Sequence, residues 1–494
     1  MASVEQSRPP AGASAAGPWR QWAAHLSEPV DGASLAVFRI AFGLILVWET
    51  TRYFRKDWIG RYFVRPRFHF TFYGFGWVHP WPGAGMYVHF AILGLAALCV
   101  ALGLWYRFSS VLLWLAFTYV FLLDEARYLN HFYAASLFAF LLAIVPANAV
   151  FSLDARRNRD PLRTGTVPRW AVWLLRAQIG FIYFFGGIAK LNPDWVHGEP
   201  MRSWLIASSS VPLIGFIVQH QLELYFFSYG GLLFDLLVTP ALLWRRTRPF
   251  AFAAAVVFHV LNSQLFSIGI FPWMMIAATT LFFEPDWPRR LVERGAATPP
   301  VEGWNGGTVE RTTRDSSSLG SAGVTGSKAF LLGAYLLLQI LIPLRHFAYP
   351  GNVSWTEEGH RFSWQMKLRE KQGTSRFFVT NTRTGETTVV EPQTILETWQ
   401  ADKMATRPDM ILQFAHYLAR EQTRQGQSVQ VRALATVSLN GHESRQLIDP
   451  TVDLASQPRT LWPAPWIMRG ANVPDAAVGA PGDTASGFGK SLPE

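Results

Sequence analysis

Long apolar runs separated by short polar loops set the character of this chain. The runs fall at about 34–50, 84–105, 108–123, 129–150, 170–190, 224–244, 250–268, 270–283 and 328–346, and a helix needs roughly 20 apolar residues to cross a bilayer. The pattern predicts a mainly α, polytopic helical membrane bundle of eight or nine spans, with the short runs at 108 and 270 read as tilted partners or re-entrant pieces. Residues 1–30 form a polar Ala-, Pro-, Gly- and Ser-rich tail without the ordered features of a cleaved signal, so the first run is expected to stay as a span. The bundle is expected over 31–347, interrupted at 295–327 by a Gly-, Ser- and Thr-rich linker with no apolar periodicity.

Beyond the last run the periodicity changes. RFSWQMKLRE (361–370), SRFFVTNTRTGETTVV (375–390) and SVQVRALATVSLNG (428–441) read as strands, the second with a hairpin at Thr384 and Gly385, and DMILQFAHYLAREQT (409–423) reads as an amphipathic helix. These elements predict a small extracytoplasmic α+β domain over 348–470, followed by a polar, disordered tail at 471–494.

Composition agrees with a membrane protein: half the residues are hydrophobic and 16% are charged, which makes an ordinary soluble enzyme a poor description. The net charge of +10 comes from bases in inter-span loops rather than from a basic face with interleaved aromatics, so no nucleic-acid partner is expected. A single cysteine, Cys99, permits neither an intramolecular disulfide nor a cysteine metal site. The histidines lack metal-ligand spacing, and no nucleotide-binding, zinc-protease or serine-hydrolase motif occurs, so no metal is expected.

The basic loops orient the chain. Arg156, Arg157, Arg159, Arg163 and Arg169, then Arg245, Arg246 and Arg248, then Arg289 and Arg290 belong on the cytoplasmic side. Counting spans from them puts the N-terminus in the cytoplasm and residues 190–199 and those beyond 347 on the opposite side. One hairpin disagrees: Arg52, Arg55, Lys56, Arg61, Arg65 and Arg67 fall on the outer side, which predicts either an interfacial helix there or a miscounted span.

Polar side chains at membrane depth cost several kcal/mol unless paired or wetted, so each is a functional candidate. Arg176, Tyr183 and Lys190 recur every seven residues and share one helical face, with Gly186 and Gly187 allowing close approach of a neighbour. Lys190 is either an interfacial lysine that snorkels or a functional residue at the end of that face. His259 and Asn262 share a face three residues apart, while Gln264 points elsewhere. Asn130 is read as a helix cap, leaving His131 near the outer surface. Arg39, Glu49 and Asp235 read as architectural, with Asp235 paired to Arg39 or Arg176.

Several segments together resemble the vitamin K-dependent γ-carboxylase family, whose membrane part is the horizontally transferred transmembrane (HTTM) domain. They are VFRIAFG (37–43), FLLDEARYLNHFY (121–133), LLRAQIGFIYFFGGIAKLNPDWVHG (174–198), GGLLFDLL (230–237), FHVLNSQLFSIGIF (258–271) and EPDWPRRLV (284–292), continued by NVSWTEEGHRFSWQMK (352–367), RTGE (383–386) and IDPTVD (448–453). The resemblance implies an enzyme that couples oxygenation of reduced vitamin K to its epoxide with carboxylation of protein glutamate. O2 and CO2 are its co-substrates, and a glutamate-containing protein or peptide and a lipid-soluble quinone are its partners. It implies Lys190 as the base that deprotonates the hydroquinone and His131 as a residue stabilising the charged intermediate. Asn130, Arg176, Tyr183, His259, Asn262 and Gln264 are the expected cofactor-binding set. Two other classes stay open: quinone epoxidase or redox chemistry without protein carboxylation, and a non-enzymatic scaffold or transporter. The sequence departs from animal members in having Ala189 where they have a second lysine, and in lacking cysteines for the disulfide that joins their membrane and outer parts. It also ends at residue 494 without their additional C-terminal region, so reduced or altered recognition of a substrate pro-segment is expected.

Overall fold

The computed structural model describes residues 18–157, 165–207, 221–266, 268–295 and 326–469. Among them, helices α1 (Ala33–Arg55), α2 (Gly85–Leu102), α3 (Tyr106–Leu122), α4 (Asn130–Ile144), α5 (Arg169–Ala189), α6 (Gln221–Leu243), α7 (Arg248–Leu265), α8 (Phe271–Thr279) and α9 (Gly326–Leu344) follow the apolar runs. Five are long and apolar enough to cross a membrane: α1, α2, α5, α6 from Tyr225 onward, and α9 extended to Ala348. Helices α3 and α4 and the segment Phe271–Phe282 are apolar but shorter. Helix α1 packs on α2 across the long 56–84 hairpin, short connections pack α2 on α3 and α3 on α4, and α5 packs on α6. The core between them is aromatic, with the Phe38 and Phe42 rings edge-on to Phe138 at 5.4 and 6.4 Å.

The two ends of the bundle differ. At one end the described parts of the three basic loops meet the N-terminal segment: Pro29–Asp31 pairs with Thr166–Pro168 as a small ribbon, Arg289 bonds Asp31 at 2.7 Å, and Arg248 bonds Glu284 at 3.2 Å. Arg39, fully buried, donates to the carbonyls of Ala147 at 2.9 Å and Phe151 at 2.5 Å rather than to Asp235. Main-chain carbonyls take its two terminal nitrogens while Nε is left without a partner, so Arg39 does not pair with Asp235 as expected. Arg159 and Arg163 lie outside the described residues.

At the other end sits the C-terminal domain. Strands β1 (Lys371–Asn381), β2 (Thr387–Val390), β3 (Val429–Leu439) and β4 (Arg445–Gln446) form an antiparallel sheet in the order β2-β1-β3-β4. Val431, Ala433, Ala435 and Val437 alternate inward along β3, with Phe377 opposite Ala433. Helices α10 (Thr398–Ala405) and α11 (Pro408–Arg424) cover that face through Met404, Met410, Ile411 and Phe414. The hairpin at Thr384 and Gly385 forms as expected.

Residues 361–370 are not a strand. Phe362, Trp364 and Lys367 take φ values of +64°, +55° and +47°, which kink the chain at each step. Phe362 and Trp364 instead wedge between the domain and the bundle, with their rings 5.3 Å from Tyr128 and 4.8 Å from Tyr133. The alternating pattern came from side chains facing two bodies rather than two sides of a sheet.

The domain core also takes Phe70 and Ala126 from the membrane part, and Phe68 packs on Tyr417 at 4.9 Å. Gln413 donates to Glu125 at 2.7 Å and Gln400 to Asp124 at 3.0 Å across the same seam. The basic hairpin at 52–84 therefore lies on the domain side, where the span count had placed it, and its turn is a π-helical segment, Gly60–Val64. Its charges are partly compensated locally: Arg52 bonds Glu49 at 2.7 Å, Arg65 bonds Asp57, and Arg61 lies 5.5 Å from the Tyr62 ring centre.

Candidate active site

Helix α5 ends at Ala189, and Lys190 is its cap. The turn that follows is fixed by Asn192, whose side chain accepts from Trp195 N at 3.0 Å, while buried Trp195 donates through Nε1 to Ser228 O at 2.9 Å. Gly187 lets α6 come close, since a Cβ there would stand 3.2 Å from the backbone nitrogen of Leu236 and nearer still to its side chain. That approach brings Asp235 of α6 to Lys190. The amine is ion-paired with Asp235 Oδ2, donates to Gly186 O at 3.1 Å, and lies 5.4 Å from the Trp195 ring centre. Lys190 and Asp235 are both buried. Lys190 thus turns inward rather than snorkelling, and Asp235 is its partner.

One helical face carries Tyr183 two turns before Lys190, and its hydroxyl meets His259 Nε2 of α7 at 2.7 Å. The other ring nitrogen of His259 is buried without a hydrogen-bond partner. Asn262, a turn further on, donates to Phe258 O at 2.9 Å. Asn130 does not cap α4, whose cap is Leu129. Its amide instead bridges the two parts of the chain, donating to Gln365 O at 3.0 Å and accepting from the Tyr128 hydroxyl at 3.0 Å. His131 packs on Phe132 and Phe271, and Gly269, with φ +54°, leaves room beside it: a Cβ there would stand 3.7 Å from His131 Nε2.

Asn130, His131, Tyr183, Lys190, Asp235, His259 and Asn262 all line one cavity of about 310 Å³, together with Phe258, Phe266, Phe271, Trp195 and Trp204. Arg176 and Gln264 do not line it. Arg176, two turns into its helix, holds the segment that follows α8, donating to Leu281 O at 2.8 Å and Phe283 O at 3.0 Å. Gln264 is exposed and contacts Ser263. On a straight face of 14 residues the first and last members stand about 21 Å apart, so Arg176 and Lys190 share a stripe without sharing a site.

The far wall of the cavity belongs to the C-terminal domain and its approach segment: Glu357, His360, Arg361, Met366, Lys367, Lys403 and Arg407. Burial opposes the charge on Glu357, but Arg369 at 2.5 Å and Lys371 at 3.2 Å hold its carboxyl well below the usual carboxylate range. Burial pulls the Lys371 amine down to about 8, against the attraction of Glu357. Burial and Arg369 keep His360 neutral well below its ordinary value. Arg361 reaches Asp409 at 2.9 Å and Glu125 at 3.2 Å, and burial pushes the Glu125 carboxyl up to about 7. Glu357, like Phe362, Trp364 and Lys367, has a positive φ, at +65°. Strain concentrated along a cavity wall is a common mark of a functional segment.

Sequence reasoning missed this wall. Its one signal was the charge density of TEEGHR within an otherwise aromatic stretch, and the spacing gives no helical or strand period that would aim those side chains at Lys190.

No solved structure matches the chain. The family model for the HTTM domain matches residues 27–287, and that for the lumenal domain of vitamin K-dependent gamma-carboxylase matches residues 325–472. The first covers the bundle from before α1 to beyond α8 and the second the last helix and the sheet domain, so this membrane protein belongs to the vitamin K-dependent gamma-carboxylase family.

Proposed function

We propose that the chain is a γ-glutamyl carboxylase-like enzyme that uses a reduced vitamin K-type quinone, O2 and CO2. The observation that carries this reading is the cavity with two unlike walls. An apolar, aromatic membrane wall with a buried Lys190–Asp235 pair faces a wall carrying Arg361, Lys367, Lys403 and Arg407. The first suits a flat hydrophobic cofactor and the second an anionic side chain. A volume of about 310 Å³ lies at the lower end of that of small-molecule sites. The unpartnered His259 nitrogen offers a polar contact such a cofactor would fill, so the residues fit the group.

When bound, the reduced quinone supplies the oxygen chemistry that generates a base strong enough to remove a glutamyl γ-proton. The protein's part is to hold and move protons. Lys190 and Asp235 act as a unit: at rest they share one mobile proton, and transfer of it to Asp235 frees the Lys190 nitrogen to take another. The pair then carries one proton more, with the ammonium left in the cavity to balance new negative charge. Tyr183, oriented by His259, and Asn262 hold the cofactor. Asn130 and His131 stand at the junction of the walls, where charge develops. Arg361, fixed by Glu125 and Asp409, receives the substrate carboxylate. In this reading the bundle makes eight or nine passes, the N-terminus is cytoplasmic and the sheet domain faces the extracytoplasmic side.

Purified protein supplied with reduced vitamin K, labelled bicarbonate and a glutamate-bearing peptide is expected to form epoxide and incorporate label. Epoxide without label would establish the quinone-oxidising alternative, and neither product would overturn the enzymatic reading.

A further inference from the structure

The hairpin between α1 and α2 has two faces. Phe68, Phe70 and Phe72 turn toward the domain and the bundle, while Tyr73, Phe75, Trp77 and Trp81 turn outward, Trp77 with 74% of its surface free. Isolated exposed aromatics are ordinary, but four within nine residues form a patch that needs a partner. Its position indicates which. Trp81 stands edge-on to His89, near the start of α2, at 5.2 Å, and the Tyr119 hydroxyl near the end of α3 holds His79 O at 2.6 Å. The patch is therefore pinned to the ends of two apolar helices. It runs on into their outward side chains Tyr87, Val88, Leu95 and Leu115, all exposed on the protein surface. Arg55, Lys56 and Arg67 are exposed in the same hairpin.

We infer that this hairpin is a bilayer-interface anchor. Tyr73, Phe75, Trp77 and Trp81 sit at headgroup and glycerol depth, with Arg55, Lys56 and Arg67 beside lipid phosphates. Tryptophan and tyrosine partition to this layer because one ring carries both an apolar body and a hydrogen-bond donor, and basic side chains are drawn to a phospholipid surface where the lipid is anionic. The same contact explains why six bases lie on the side that the positive-inside rule disfavours: local acids and rings meet Arg52, Arg61 and Arg65, Lys56 stands 5.0 Å from the Trp58 ring centre with its side chain still exposed, and phosphates take Arg55 and Arg67. A docking segment of another protein is the competing occupant, but the continuity with the membrane-facing helices favours lipid.

The test uses the full chain with Cys99→Ser, Trp77→Cys carrying a nitroxide, and nanodiscs of phosphatidylcholine and phosphatidylglycerol. Gly385→Cys, in the exposed hairpin of the sheet domain, is the aqueous reference. The ratio of collisions with oxygen to collisions with a water-soluble nickel chelate is expected to be several-fold higher at 77 than at 385. Replacing Arg55, Lys56 and Arg67 by Gln should lower that ratio. Where Trp77→Cys does not assemble, Phe75→Cys carries the same label. Nickel access at 77 equal to that at 385, or shielding from both reagents, would overturn the inference. The measurement needs no catalytic activity.

Discussion

The two walls of the cavity handle buried charge in opposite ways. On the membrane wall the ionisable side chains stand in single side-chain pairs: Lys190 with Asp235, and Tyr183 with His259. On the domain wall charges are shared, so that Glu357 answers Arg369 and Lys371 at once, and Arg361 answers both Glu125 and Asp409. The reason is solvation. In hydrocarbon a second polar partner brings its own desolvation cost, whereas a domain seam can bury several charges provided they compensate one another. A paired group can exchange a proton with its mate, and a networked one is held fixed. The membrane wall is thus suited to proton transfer and the domain wall to binding.

The contrast is tested first where the effect should be largest. Lys190→Ala removes the proton-accepting nitrogen, and loss of a general base costs about 10²–10⁴-fold in rate. Epoxide formation and carboxylation should fall together by that factor while the protein remains in the membrane, whereas loss of carboxylation alone would move Lys190 off the first step.

Next comes the network. Glu357→Gln leaves Arg369 and Lys371 buried without their carboxylate, which should cost about 3–5 kcal/mol at neutral pH. Because the Glu357 carboxyl is held below its ordinary value of 4.5, its stabilisation is complete above that pH and is lost as pH falls from there through the depressed folded value. Thermal unfolding across pH should therefore show the wild type converging on the variant in acid. A constant gap would mean that packing rather than charge is involved.

Smaller changes are expected on the cofactor side. Tyr183→Phe strips His259 Nε2 of its bond, worth about 1–3 kcal/mol, and should raise the KM for the reduced quinone while leaving kcat within about tenfold. A fall in kcat with unchanged KM would instead make Tyr183 part of the proton path. At the bottom of the scale, Gln264→Ala should change stability by under about 0.5 kcal/mol and leave the quinone KM alone, since Gln264 is exposed and outside the cavity lining. A raised KM would return it to the site.

Much of this was legible in the sequence because hydrocarbon imposes a simple rule on length and polarity. The apolar runs became helices, and polar residues within them turned out to face a cavity in the cases of Tyr183, Lys190, His259 and Asn262. The rule says which residues must be paired and not with which. Arg39, Arg176 and Asp235 were all legible as needing partners, but the two arginines bond backbone carbonyls, and Asp235 pairs with Lys190. Asn130 was illegible for a related reason: its partner, Gln365 O, is 235 residues away. The kinked segment 357–367 has no period to read, because positive φ values at Glu357, Phe362, Trp364 and Lys367 break any strand, so the binding wall emerged only with the fold.

The central claim is that the Lys190 nitrogen takes the first proton, and chemical rescue tests it most directly. Lys190→Ala assayed with a series of small primary amines should regain part of both epoxide formation and carboxylation. Rescue should rise with pH as more free amine is neutral and should fall with amine bulk as the vacated space fills. Full activity of Lys190→Ala without added amine would contradict the claim, as would a correctly assembled variant that no amine restores.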